Sequence, residues 1–254
     1  FKVQDDGGDA NGGVYVDLSA NTMTINVTPN NPPAGEDTTV TTLEDTPYTF
    51  ADTNFGFADP DPGDSMSGVR IDTLSLAPGS TLQLAEEDVV EEQLIATVDI
   101  PDLVFTPAAN ANGSTYASFT FSVLDTNGPE YDPSPNTMTI AVTAVNDPPE
   151  GADTTVTTPE NTPYTFADTD FGFSDPNDDP PNNFDAVQIT SLPVDGELLL
   201  DGATVGLDEV VSVANLGLLT FTPVAGESGE PYADFDFKVQ DDGGDANGGV
   251  YVDL

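Results

Sequence analysis

Short stretches in which apolar and polar residues alternate recur along the whole chain. Alternation places every second side chain on one face, which is the pattern of a half-buried β-strand. In YASFTFSVLD, for example, it places Phe119, Phe121 and Val123 on one face. Clusters of Pro, Gly, Asn and Asp separate the stretches, as expected for turns. The strands predicted in this way cover residues 38–42, 47–50, 68–76, 80–84, 103–107, 116–125 and 136–143.

Helical periodicity is nearly absent from the chain. The only helical candidate is AEEDVVEEQ, residues 85–93, and its four glutamates are also what a solvated face would carry. Seven short strands separated by turns are typical of an immunoglobulin-like β-sandwich. The sequence therefore predicts an all-β fold.

Internal repeats set the scale of the architecture. Residues 1–18 recur unchanged at 237–254, and 23 of 30 positions are identical between 31–60 and 147–176. The repeating unit is about 118 residues long, which is the size of a domain and too long for a helical solenoid repeat or a propeller blade. We therefore expect tandem immunoglobulin-like β-sandwich modules in a linear array.

Proline-rich joints divide the array. NNPPAG (30–35) and NDPPEG (146–151) predict short, stiff connections, because proline fixes φ and restricts the residue before it. The predicted parts are a terminal hairpin of a preceding module (1–30), a complete module (31–146) and a second module without its last strand (147–254). A cut through a longer array is the favoured explanation of the absent strand. The alternative is a strand supplied by a neighbouring chain.

Charge restricts the function more than any other property. The chain carries 46 acidic and 3 basic residues, a net charge of −43. Carboxylates at this density repel one another unless cations neutralise them, and they disfavour nucleic acid or anionic membranes as partners. No apolar run is long enough for membrane insertion. Without His or Cys the usual catalytic triads are impossible, so we expect a non-enzymatic protein.

A family resemblance rests on several short motifs spread over the chain. They are VNDPP (145–149), PEN (159–161) with its variant LED (43–45), LTFTP (218–222), VQDDGG (239–244) and the Asp-Pro-rich loops. In these motifs the chain resembles the cadherin-like and VCBS-like repeats of giant bacterial surface proteins of the adhesin type. The resemblance implies an extracellular, secreted bacterial protein of the cell surface, with calcium bound where modules meet.

The resemblance also implies which residues hold calcium. At the 146–148 joint the ligands carried over by position are Glu44, Asn146, Asp147, Asp175, Asn177 and Asp241. At the 30–31 joint they are Asp59, Asp61 and Asp125, and Glu160 is the counterpart of Glu44. The 30–31 joint reads Asn-Asn and lacks one carboxylate, so its site is expected to be weaker. Calcium prefers such oxygen ligands.

The function expected from these observations is structural. The chain would be a calcium-binding extender segment of a long adhesin or surface fibre, stiffened by calcium at its joints. Its partners would be neighbouring repeats of the same chain or of identical chains in a fibre. Two alternatives stay open: a module that binds carbohydrate or a surface partner through its loops, and a filament subunit that exchanges strands.

Overall fold

The structure, a computed structural model, describes residues 1–14, 16–128 and 131–254 and consists mainly of β-strands. The strands between residues 38 and 143 are β1 Thr38–Leu43, β2 Tyr48–Thr49, β3 Met66–Ser75, β4 Thr81–Leu84, β5 Glu87–Asp88, β6 Gln93–Ala96, β7 Leu103–Thr106, β8 Gly113–Asp125 and β9 Asn136–Thr143. Those after residue 147 are β10 Tyr164–Thr165, β11 Phe184–Ile189, β12 Glu197–Leu200, β13 Ala203–Thr204, β14 Val210–Ser212, β15 Leu219–Thr222 and β16 Phe237–Asp241. The predicted all-β character is confirmed.

Short 3₁₀ helices make up the remaining regular structure. They are Ala10–Gly12, Asp52–Phe55, Thr97–Asp102, Asp168–Phe171, Val213–Leu218 and Ala246–Gly248. Within the described residues no helix has both the length and the apolar character that crossing a bilayer requires.

The first unit contains two sheets that face one another across a core. One sheet has the strand order β1-β9-β8-β3-β6, in which only the β1–β9 pair is parallel, and the other has the order β2-β7-β4-β5. Phe121 and Ile140 of the first sheet and Leu82 and Phe105 of the second are at most 2% exposed. Burial of these apolar side chains is the main force that holds the sheets together. The arrangement is sandwich-like.

The second unit repeats the aromatic packing of the first. The Phe50–Phe119 ring centroids lie 5.6 Å apart, and so do those of Phe166 and Phe235. A second edge-to-face pair also recurs. The ring centroids of Phe55 and Phe121 lie 5.0 Å apart in the first unit, and those of Phe171 and Phe237 lie 5.0 Å apart in the second. Edge-to-face pairs at these distances are favourable. The two units therefore share one core design although their cores are separate.

The helical candidate at residues 85–93 is wrong. The segment forms strand β5 and two turns, because Ala85 and Glu86 have φ angles of 50° and 69° and Glu92 has 65°. A right-handed helix does not accept positive φ. The solvated-face interpretation fits better, since Glu86, Glu87, Glu91 and Glu92 are all exposed.

The second unit differs from the first in one sheet. Its four-stranded sheet is β10-β15-β12-β13, but the other sheet contains only β14-β11-β16. Residues 154–159, the counterpart of β1, are in no strand, and Val156 is 38% exposed where Val40 is 6% exposed. The counterparts of β1 and β9 are the two strands that this sheet lacks within the described residues.

Residues 1–14 and 16–30 lie outside both cores. Their contacts are mostly local, for example two hydrogen bonds of 2.8 Å that join the backbones of Phe1 and Asn21. The apolar side chains of Met23, Ile25 and Val27 are 69%, 78% and 89% exposed.

Candidate metal centres at the ends of the units

Parallel pairing of β1 with β9 brings the first candidate ligand to the joint between the units. Because both strands run in the same direction, Leu43 lies opposite Thr143, and the next residues leave the sheet at the same end. Glu44 is held there by a 2.9 Å hydrogen bond from its backbone N–H to the Thr143 carbonyl. Its carboxylate accepts a hydrogen bond from the Val145 N–H, and the residue is only 5% exposed.

The second unit contributes further acidic groups to this joint. We call the assembled group the joint cluster, and it consists of Glu44, Asn146, Asp147, Asp175, Asp178 and Asp241. The backbone N–H of Asp147 donates to Asp178 Oδ2 at 3.0 Å. Asp175 is 6% exposed, and its Oδ2 accepts from the Asn182 N–H. Asp147 Oδ2 and Asp175 Oδ1 are buried and have no hydrogen-bond partner.

Asn146 and Asp241 are hydrogen-bonded to each other within the joint cluster. Asn146 Nδ2 donates to Oδ1 and Oδ2 of Asp241, at 3.1 and 3.3 Å, and to the Val250 carbonyl at 2.8 Å. Asp241 is 2% exposed, and its Oδ1 also accepts from the Gly243 N–H at 2.7 Å. A side chain at Gly243 would overlap the Asn146 amide, so the absence of a Cβ there is what lets the two loops approach.

Burial, with neighbouring negative charges, raises the pKa of three carboxylates in the joint cluster. Burial is the main cause of the raised pKa of Asp147, and the negative charges of Asp45 and Glu44 add to it. Burial raises the pKa of Asp178 to about 6, with the negative charges of Asp175 and Asp147 adding to it, against the lowering effect of the hydrogen bond from the Asp147 N–H. Burial also raises the pKa of Asp241. Negative charge is therefore concentrated in a partly desolvated space.

A second acidic group lies at the opposite end of the first unit. We call it the N-terminal cluster, and it consists of Asn30, Asn31, Asp59, Asp61, Asp64 and Asp125. One carboxylate oxygen each from Asp59, Asp64 and Asp125 lies within 4.8 Å of the others. In the described part of the chain this is the one such group of three acidic side chains. Its oxygens are close enough together to hold a metal ion.

Hydrogen bonds fix the N-terminal cluster to the entering chain. Asn30 Nδ2 donates to Asp125 Oδ2 at 3.0 Å, and the Asn31 N–H donates to Asp61 Oδ2 at 2.6 Å. Asp59 Oδ1 accepts from the Asp61 N–H at 2.7 Å, while Asp59 Oδ2 is buried without a partner. The cluster therefore has an oriented carboxylate with one unused oxygen.

Most of the predicted ligands lie in one of the two clusters, but Asn177 does not. Both clusters contain predicted residues, but within the described residues no side-chain hydrogen bond joins Asn177 to the joint cluster. Asp178 takes the position next to Asp147 that Asp61 takes next to Asn31. The reason is a two-residue insertion: Met66 pairs with Asp125 and Phe184 with Asp241, so the loop after Asp175 is longer than the loop after Asp59.

Two further positions depart from the predicted set. Asp64 belongs to the three-carboxylate group of the N-terminal cluster, and the repeat offset missed it because the position 116 residues later is Pro180. Its place in the loop DPDPGD was the only available signal. Glu160, the counterpart of Glu44, is exposed and belongs to neither cluster.

Comparison with models of known protein families and with curated proteins finds no match to this chain. The predicted resemblance to cadherin-like and VCBS-like repeats stays a prediction.

Proposed function

We propose that the chain is a structural segment of a long extracellular protein or fibre, built of tandem immunoglobulin-like modules whose junctions are stiffened by bound calcium. Adjacent modules would be held in one orientation by cations in the joint cluster and in the N-terminal cluster. The role is mechanical, since it sets the length and stiffness of a rod.

Three unpartnered carboxylate oxygens carry this proposal. Asp59 Oδ2, Asp147 Oδ2 and Asp175 Oδ1 are the buried side-chain polar atoms, among the described residues, that lack a hydrogen-bond partner. All three belong to the two clusters. Burying a carboxylate oxygen without a partner is costly, and such groups in folded proteins normally find a partner or coordinate a metal. A cation bound at each cluster would satisfy them.

Calcium is the cation that fits the donors best. Both clusters offer carboxylate oxygens, which suit a hard cation. Each cluster contains several carboxylates, and calcium accepts many oxygen ligands in a flexible geometry, whereas the smaller magnesium demands a near-ideal octahedron and keeps several of its waters. The chain itself supplies little positive charge, since it has 3 basic residues against 46 acidic ones. Of these, Arg70 already pairs with Asp72, at 2.6 Å.

The position of the joint cluster supports a stiffening role. Glu44 and Asp45 come from the first unit, and Asp147 and Asp175 come from the second. Without a cation these charges repel one another across the joint. A bound ion would convert that repulsion into attraction between the two units. With strands that rise about 3.3 Å per residue, each module would add on the order of 40 Å to the rod.

Calcium titration of the 254-residue chain tests the proposal. We expect calcium to raise the melting temperature and to lengthen the particle measured by small-angle X-ray scattering, and a chelator to reverse both changes. Sodium chloride at equal ionic strength is the control for general charge screening. Asp175→Asn should reduce the calcium effect, whereas Asp195→Asn, at an exposed position outside the clusters, should leave it unchanged. Equal melting and scattering with calcium and with chelator would refute the proposal.

A further inference from the structure

Six aspartates of this chain directly precede a proline. They are Asp59, Asp61, Asp132, Asp147, Asp175 and Asp179. The three buried carboxylate oxygens that lack a hydrogen-bond partner in the described part of the chain all belong to this group: Asp59 Oδ2, Asp147 Oδ2 and Asp175 Oδ1. The chain has 46 acidic residues, and most of them are followed by a residue other than proline. The unpartnered oxygens are therefore concentrated at Asp–Pro peptide bonds.

An Asp–Pro bond can be broken by the side chain of its own aspartate. Proline forms a tertiary amide without an N–H, and its nitrogen accepts a proton and leaves more readily than the nitrogen of other peptide bonds. In the reaction, a carboxyl oxygen attacks the carbon of the residue's own backbone carbonyl and closes a cyclic anhydride. The carboxyl proton passes to the proline nitrogen, and the C–N bond breaks. Water then opens the anhydride, which leaves a C-terminal aspartate and an N-terminal proline.

Hydrogen bonds decide which carboxyl oxygens are free to attack. Asp132 and Asp175 are equally buried, with 6% of each residue exposed. Both oxygens of Asp132 are engaged, since Oδ1 accepts from the Ser134 N–H at 2.8 Å and Oδ2 from the Gly35 N–H at 2.7 Å. Asp175 Oδ1 accepts no hydrogen bond. Burial without a partner raises the energy of an oxygen in the starting state, and forming a bond to the carbonyl carbon relieves that cost.

The position of the Asp147–Pro148 bond gives its cleavage the largest effect. The buried core of the first unit ends at Val142, and that of the second begins at Phe166. A cut after Asp147 therefore leaves both cores whole and breaks the covalent connection between the units. The other two bonds lie in the loops that lead into strands β3 and β11.

We propose that the cation-free chain cleaves its own backbone at Asp59–Pro60, Asp147–Pro148 and Asp175–Pro176, with the unpartnered oxygen as the nucleophile in each case. The reaction consumes water and needs no other reagent. A cation bound to the same oxygen would keep it from the carbonyl carbon, and this protection rests on the proposed function. Loss of the cation would then lead to a cut that separates one module from the next.

Mass spectrometry of the intact 254-residue chain tests the proposal. The chain is incubated with chelator in a mildly acidic buffer in which circular dichroism shows it to be folded, and a parallel sample is unfolded in urea. All six Asp–Pro bonds experience the same solution within each sample. In urea they should break at similar rates. In the folded chain, the three proposed bonds should break at least about tenfold faster than Asp132–Pro133, the buried control whose oxygens are both engaged.

Two substitutions at the joint separate the chemistry from the fold. Asp147→Glu keeps the charge but requires a larger ring, and Pro148→Ala keeps the carboxylate but leaves a secondary amide. Each should reduce formation of the fragments 1–147 and 148–254 at least about tenfold and leave the rate at Asp59–Pro60 unchanged. Asp195→Asn, at an exposed position outside the clusters, should alter no rate.

The outcomes distinguish self-cleavage from the cation function. Equal rates at all six bonds of the folded chain, or undiminished fragments 1–147 and 148–254 in both joint variants, would overturn the proposal. Calcium chloride in place of chelator should suppress the three selective cuts. Selective cleavage that calcium does not slow would refute only the proposed cation function.

Discussion

Replacing Asp178 by asparagine should have opposite effects on the metal-free chain and on its response to calcium. A carboxyl group whose pKa rises from 3.8 to about 6 costs up to about 3 kcal/mol to ionise in the folded chain at neutral pH. Solvent screening of this partly exposed group reduces that cost to about 1–2 kcal/mol. Asparagine keeps an acceptor for the Asp147 N–H but removes the charge. The free energy of unfolding in chelator should therefore rise by about 1–2 kcal/mol.

In calcium the same substitution removes a negative charge from the joint cluster. A tenfold weaker affinity lowers the stabilisation by calcium by about 1.4 kcal/mol. Urea unfolding followed by tyrosine fluorescence gives both numbers, since the chain has seven Tyr and no Trp. Asp195→Asn, made in parallel, should change neither. The reasoning fails if Asp178→Asn lowers the stability in chelator, or if the increment due to calcium is unchanged.

Three further predictions follow from the two clusters. Gly243→Ala places a Cβ against the side chain of Asn146 and should lower the calcium affinity at least tenfold. Gly217→Ala is the control, since the added carbon there meets nothing within 4 Å, and it should leave the affinity unchanged. Calorimetric titration measures both affinities. Asp64→Asn should remove one calcium equivalent from the stoichiometry found by equilibrium dialysis, and an unchanged stoichiometry would exclude Asp64 as a ligand. In chelator, the folded chain holds protons more tightly than the unfolded chain at Asp178, so the melting temperature should rise as pH falls from 7 to 5. A fall over that range would contradict the charge repulsion inferred for the joint.

The alternation of apolar and polar residues was enough to predict most of the first unit. The predicted strand at residues 116–125 lies within β8, and that at 136–143 coincides with β9. The short strands β5 and β6 escaped prediction because their residues are largely polar or exposed and depend on partners distant in the sequence. The positive φ angles at Ala85 and Glu86 exclude a helix there, but the sequence of apolar and polar residues does not reveal them.

The candidate sites were harder to predict than the strands. The family resemblance, carried over by position, predicted Asp59, Asp125, Asp175 and Asp241 as ligands, and these residues lie next to strand ends whose positions the two units share. In the loop that follows Asp175, which is two residues longer than its counterpart, Asp178 and not the predicted Asn177 accepts the hydrogen bond from the Asp147 N–H. The sequence could not predict which carboxylate oxygens are buried without a hydrogen-bond partner, because this depends on how two loops pack against each other.

Crystallography of the chain grown with millimolar calcium tests the central claim most directly. Anomalous difference density identifies calcium independently of the coordinates. We expect a peak in each cluster, with Asp59 Oδ2 in one, and Asp147 Oδ2 and Asp175 Oδ1 in the other, at about 2.3–2.6 Å from the ion. Water molecules alone at these three oxygens, with no anomalous signal in either cluster, would contradict a cation-stiffened rod.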